Sequence, residues 1–365
     1  MTLLELDPQV VEPVDQPPVD GSPAPQRQRK VGGLTTEEKT EYAVAFAAAI
    51  HLVVLLRLLL DWDDLLGSSV LGLIVFVLAH FLIVRERSSA EIAVDKSVTT
   101  VMWTVGLIVV AVLGWMVAFV AIKGFARLRW SFIVEDLSTV GPLDPGGGAF
   151  HAIIGTFQQV GISTVCVIPI AIMTAVYLHE VRGRMATVVR FVVDALAGLP
   201  SIVAGLVVIT IFPGFAGYKA SMALIVLAIP IVTRGAEEVL RTVPDSLREA
   251  SLALGAPQWR VVLRVVLPTA QAGLVTVGLL AVARMVGETA PVLLTAGGNS
   301  VTNTNPLEGQ QSSLSLYIYE LIRSPNEATL ERAWSGAFLL LLIVLVIFVA
   351  ARVALARSER KLGRR

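Results

Sequence analysis

The chain has one cysteine in 365 residues, Cys166, and it sits inside an apolar run. That excludes an intrachain disulfide framework and a cysteine-based metal cluster. Charge is scarce as well: only 16% of residues are charged, and 29 basic residues balance 29 acidic ones. A net charge of zero argues against a nucleic-acid partner. The four histidines, His51, His80, His151 and His179, form no ligand-spaced pair and read as ordinary packing side chains. The dipeptide Gly-Lys never occurs, so the phosphate-cradling loop of the common ATPases is missing. Neither H-E-x-x-H nor G-x-S-x-G is present, and no nucleophile–base pair assembles. The chain is therefore not expected to be an enzyme or to carry a cofactor.

What the chain has is apolar surface. Hydrophobic residues make up 55% of it and its mean hydropathy is +0.74, far above a soluble domain. An all-α polytopic membrane protein is expected. Residues 1–40 are polar and proline-rich, bury too little to offset ordering entropy, and are expected to be disordered. They are not expected to form a signal peptide, having neither a basic start nor an evident cleavage site. Eight apolar runs follow, near 42–60, 68–84, 99–122, 151–178, 187–211, 219–233, 269–295 and 334–356, each about long enough to cross a bilayer. With the N-terminus in the cytoplasm, the cytoplasmic segments hold 21 of the 29 basic residues. The outer segments then hold only Lys123, Arg127, Arg129, Lys219, Arg323 and Arg332. This bias places both ends in the cytoplasm. Of the two long outer loops, 123–150 carries a Gly/Pro cluster. The other, 297–333, contains Leu314, Leu316, Tyr317 and Ile318, a pattern compatible with a short helix lying on the membrane surface.

Residues 234–268 form a charged island between apolar runs, on the cytoplasmic side. Ser246 and Glu249 have capping-box spacing just after Pro244, which predicts a helix start there. Gly255 suits a left-handed C-terminal cap, and Pro257 forbids continuation. The expected result is a helix of about 10 residues, roughly 15 Å long, then a tight turn and a second helical piece.

Two ionisable residues fall within the seventh run. Arg284 lies about 24 Å along a helix counted from Pro268, and Glu288 follows at i+4 on the same helix face. A charge at such depth costs about 2.5–3.5 kcal/mol on insertion scales, so the pair is expected to face protein or a water-filled path. Gly287 between them would let a backbone or ligand approach. An arginine fork suits an oxyanion, while a structural pair joining helices fits the residues equally. Arg57 is expected to reach the interface from the first run and Asp194 to pair with Arg190 at i−4. Pro169, Pro200 and Pro230 interrupt the fourth to sixth runs as candidate hinges.

The pattern Glu249-Ala250-Ser251-x-x-x-Gly255, then Val265-x-Leu267-Pro268, resembles the EAA loop of membrane subunits of bacterial ABC importers. Ser251 and Val265 are mild departures from that pattern. Leu199-Pro200-Ser201-Ile202-Val203, Glu237-Glu238 and Arg284-x-x-Gly287-Glu288-Thr289-Ala290-Pro291 are similar to the phosphate-specific branch of the PstA type. The resemblance implies a six-helix type I importer core over 96–365 with its coupling loop at 234–268. Before it stand an extra transmembrane hairpin, 41–95, and the tail. It further implies that Glu249, Ala250, Gly255 and Pro268 belong to a coupling helix that docks on an ATP-binding subunit, and that Arg284, Gly287 and Glu288 line a phosphate path. The partners implied are cytoplasmic ATP-binding subunits, a second permease subunit of the PstC type and an extracytoplasmic phosphate-binding protein. A permease for another oxyanion or small solute, or a non-transporting membrane scaffold or sensor, would also account for the apolar pattern.

Overall fold

The computed structural model describes residues 35–181 and 183–361, and the side chains among them as far as Arg357. Every named element among these residues is helical. They form two units, one up to Ala111 and one from Val112 onward. Most of the expected tail lies outside the described residues, but its last five residues are already helix. Thr35 caps the first helix with a reciprocal capping box to Glu38.

The first unit contains α1 (Thr36–Leu60), α2 (Leu65–Arg87) and the opening turns of α3 (Ala90–Phe125). Arg57 donates to the Trp62 carbonyl at the end of α1, consistent with a side chain reaching past the helix end. Asp64 caps α2 through the backbone N–H groups of Leu66 and Gly67. Lys96 of α3 joins Glu38 and Glu41 of α1 at 3.6 and 3.1 Å. Tyr42 stacks on buried His80 with ring centroids 4.5 Å apart, and its hydroxyl meets Thr100 at 3.1 Å.

The second unit carries the end of α3, then α4 (Trp130–Val134), α5 (Phe150–Glu180), α6 (Arg184–Ala197), α7 (Ser201–Ile211) and α8 (Gly217–Arg241). After these come α9 (Asp245–Ala253), α10 (Gln258–Val261), α11 (Leu267–Gly287), α12 (Ala290–Thr295), α13 (Leu314–Leu321) and α14 (Glu327–Lys361). Its core joins Val160, Val167 and Ala171 of α5 to Leu224, Ala228 and Val232 of α8 and Ala281 and Met285 of α11. Alanine and valine make up most of this core, and helices in lipid, which gain little from apolar burial, must approach closely to gain dispersion. α8 and α11 show this directly. A Cβ on Gly235 would lie 2.8 Å from Val277, and one on Gly273 would lie 2.5 Å from Val239. Each helix thus sets a valine into the gap left by its partner's glycine.

Among the described residues, six helices are long and apolar enough to cross a membrane: α1, α2, α3, α5, the continuous Gln258–Gly287 helix and α14. The fifth expected run is a broken pair instead, with α6 and α7 bent by 103°. Pro200 stands at this bend as the N-cap of α7, where its missing N–H costs no helical hydrogen bond and the residue before it is turned away from the helical region. Pro169 and Pro230 are carried inside α5 and α8 without such a break. The sixth expected run corresponds to α8, whose length of 25 residues comes without a place among those six. The seventh begins earlier than expected and ends sooner. A π turn, Val262–Val266, carries the helix through Pro268, and the wider turn leaves room for the proline ring. At the far end the helix stops at Gly287, because Pro291 has no N–H to give the Gly287 carbonyl four residues back.

The helix in 297–333 packs one face into the protein and leaves Tyr319 and Glu320 exposed. Leu314, Leu316 and Tyr317 of α13 are buried against α5, α12 and α14. The Gly/Pro loop before α5 is likewise built in. Arg332 of α14, 2% exposed, donates to the carbonyls of Gly141, Asp144 and Gly146. Asp136 ties this loop to the next one, accepting from Ser138 and from the backbone and hydroxyl of Thr302 at 3.1 and 2.8 Å. These bonds hold its carboxyl well below the usual carboxylate range. Its stabilising contribution is complete above the ordinary carboxylate pKa and is lost as pH falls through the lowered folded value. An Asp136→Asn protein should therefore melt lower than the parent at neutral pH. The gap should close in strong acid; a gap constant with pH in thermal melts would exclude this linkage.

Candidate functional site

The charged island folds into a compact knob. α9 begins at Asp245, with Pro244 as its N-cap and no side-chain cap. The capping box expected at Ser246 and Glu249 does not form: Ser246 is already the second residue of the helix, not the flanking residue whose hydroxyl accepts from the N–H three residues on. The C-terminal end is as expected. Gly255 has φ +79, its N–H donates to the Leu252 carbonyl, and the Ala256 N–H donates to the Ser251 carbonyl. Those two bonds make a Schellman motif. α10 follows at once and leads through the π turn into α11.

The knob is held from one side only. Arg248 places Nη1 2.6 Å from Nε2 of His179 and 3.3 Å from Glu180, and Nη2 3.2 Å from the Leu240 carbonyl. No residue of α9 is buried, and Glu249 and Ala250 are both exposed. Apolar side chains share that exposure: Leu247, Leu252, Trp259 and Leu254, the last 89% open. These apolar groups, presented on a charged and otherwise polar loop, are left uncovered by the rest of the chain. His179, read from sequence as an ordinary packing residue, is part of the anchor. Its spacing from Arg248 is far too long for any local pattern to show it.

Arg284 stands in the last turn of α11 and Glu288 just beyond it, with an extended backbone at ψ 124. They do not share a continuous helix face, yet they still meet, Nε to Oε1, at 3.4 Å. Arg284 is 60% exposed and Glu288 16%. Only Nε points to the carboxylate, so both terminal nitrogens of the fork remain for another acceptor. The Glu288 carbonyl accepts from Ser315 of α13 at 2.8 Å, which fixes the break in place. Around a Cβ built on Gly287 there is open space, so packing within this chain does not require glycine there. Asp194 does not pair with Arg190. It takes Arg234 of α8 at 2.6 Å, while Arg190 takes Glu237 at 2.8 Å. These two crossed pairs fasten α6 to α8.

The family of binding-protein-dependent transport system inner membrane components matches residues 167–364, more than half of the chain and inclusive of the knob and the Arg284 break. The chain belongs to this family. Among curated relatives, the phosphate transport system permease protein PstA 1 of Mycobacterium tuberculosis strain CDC 1551 is 40% identical over 277 residues, 74% of this chain and 90% of its own length. The PstA protein of Mycobacterium leprae strain TN is 38% identical over 72% of this chain and 86% of its own. That of Yersinia pestis is 35% identical over 75% and 92%. An inward-facing structure of the MetNI methionine ABC transporter aligns at 23% identity and a TM-score of 0.45, covering 57% of this chain and 94% of that one.

Proposed function

We propose that this permease is the membrane-spanning subunit of an ATP-driven importer of inorganic phosphate, a multi-pass protein of the inner membrane. The observation that carries the reading is the series of phosphate permeases 35–40% identical to it over most of its length. ATP hydrolysis belongs to separate cytoplasmic subunits that dock on α9, and the chain contributes the path and the lever. Support for the docking comes from the exposed leucines of the knob and from Glu249, Ala250 and Gly255 on its open face. Support for the path comes from the half-used fork of Arg284, beside Gly287 and Glu288, on a face open for a second, PstC-type permease. A phosphate-binding protein delivers the anion from outside. ATP binding then moves α9, and with it α8 and α11, so that the cavity between the two permeases opens to the other side. Both chain ends lie in the cytoplasm on this reading. Residues 96–365 are the importer core, 41–95 an added hairpin and 1–40 a tail.

Uptake of labelled phosphate in cells lacking this chain tests the cargo. Restoring the chain should restore uptake, excess unlabelled phosphate should compete, and excess sulfate should not. Equal competition by sulfate would exclude a phosphate-specific permease.

A further inference from the structure

Where the end of α5, the start of α6 and the end of α8 meet there is an open cavity of about 350 Å³. Its lining includes His179, Thr187, Arg190, Glu237 and Arg241. Glu237 is 7% exposed and takes both arginines on one oxygen, Arg190 Nη2 at 2.8 Å and Arg241 Nη2 at 2.9 Å from Oε1. Two guanidiniums that meet on one atom are close enough for a single tetrahedral anion to span them. Each carries five N–H groups. Arg190 spends only Nη2, on Glu237 and the Leu178 carbonyl. Arg241 spends Nη2 on Glu237 and Nη1 on Glu238. The second carboxylate is mostly exposed, so water screens it. The buried carboxylate thus offsets one of two cations in the lining.

The histidine adds a donor of known identity. Arg248 Nη1 lies 2.6 Å from Nε2 of His179, and a guanidinium only donates, so Nε2 accepts and the ring proton sits on Nδ1. Donor N–H groups from α5, α6 and α8 therefore line one small volume in which two guanidiniums converge on a single buried carboxylate. Basic pockets between the ends of membrane helices take phosphate groups in this way. We propose that this cavity binds a phosphate group, carried by an anionic lipid headgroup or present as free inorganic phosphate. The bound group braces α6 against α5 and α8. Its location on the cytoplasmic side rests on the orientation proposed above; the site itself does not.

Hydrogen exchange at residues 183–190 of the full chain in lipid vesicles tests this without measuring transport, so its failure is distinct from failure of the importer reading. In phosphatidylcholine vesicles, free phosphate at about ten times its dissociation constant should slow opening of this segment about tenfold. If the headgroup is the source, phosphatidylglycerol in the vesicles should slow it and free phosphate should not. Arg241→Gln, which leaves the Arg190–Glu237 pair intact, should remove the slowing. So should Thr187→Trp, which fills the volume while keeping both guanidiniums. Unliganded exchange matching the parent identifies the variants as folded. No slowing by either source, or slowing that survives either substitution, would overturn the proposal.

Discussion

Arg284→Gln is expected to cut phosphate uptake by about a hundredfold or more while the complex still assembles. The fork has two terminal nitrogens beyond its contact with Glu288. Charge-assisted hydrogen bonds contribute about 1.5–3 kcal/mol each, and about 1.4 kcal/mol is tenfold, so two such bonds account for the expected loss. Assembly should survive because the pair is long and Arg284 mostly exposed, conditions under which an ion pair adds little to stability. Arg284→Lys keeps the charge but not the planar fork and should fall between parent and Gln. Glu288→Gln provides the contrast. If the pair serves only to join helices, Glu288→Gln and Arg284→Gln should damage assembly alike. Undiminished uptake by Arg284→Gln, measured in cells with the complex quantified by pull-down, would remove this residue from the path.

The second large effect is expected at Gly255. Its φ of +79 is a left-handed conformation, and no atom lies within 4 Å of where a Cβ would stand. A side chain there meets no obstacle in this chain, so the cost is conformational, about 1–2 kcal/mol for an ordinary L-residue and more for a β-branched one. Gly255→Val should therefore distort the Schellman turn and the approach of α10, leaving the helices in the membrane intact. Uptake is expected to fall about tenfold or more while ATP hydrolysis continues uncoupled. Gly255→Asn, which tolerates the left-handed region, should retain most transport. Normal coupled uptake by the valine variant would show that the knob is not the lever.

Features that depend on neighbours in sequence could be read in advance. The apolar runs, the Gly255 cap, the Pro257 stop and the second helical piece all follow from periodicity and from what glycine and proline do locally. The Glu288 break was also within reach, since Pro291 four residues after Gly287 forbids that hydrogen bond. Apolarity masked it, because composition alone cannot tell a helix from a helix with a two-residue gap. The bend at Pro200 was masked in the same way, because the two arms together have the length and composition of a single span. What could not be read is what other segments supply. Arg248 finds His179 and Glu180 from α5, and Asp194 prefers Arg234 of α8 to its own helical neighbour. The apolar stripe of α13 does not name its partners, and α5, α12 and α14 supply them for Leu314, Leu316 and Tyr317. At Ser246 a correct spacing failed because the helix, with Pro244 as its N-cap, starts two residues earlier than a serine cap requires.

The glycine–valine interlock between α8 and α11 bears on how a pull at the knob would travel. Gly235 faces Val277 and Gly273 faces Val239, so the two contacts mesh like the teeth of opposed racks. Sliding one helix along the other by a single residue, about 1.5 Å, would drive each valine out of its notch and into backbone. Interfaces packed this closely do not creep; they stay put or jump. On the proposed reading, α8 and α11 would leave the knob as one rigid strut without slippage. A stroke delivered at Gly255 would then reach Arg284 undiminished, as rotation of the pair rather than shear within it.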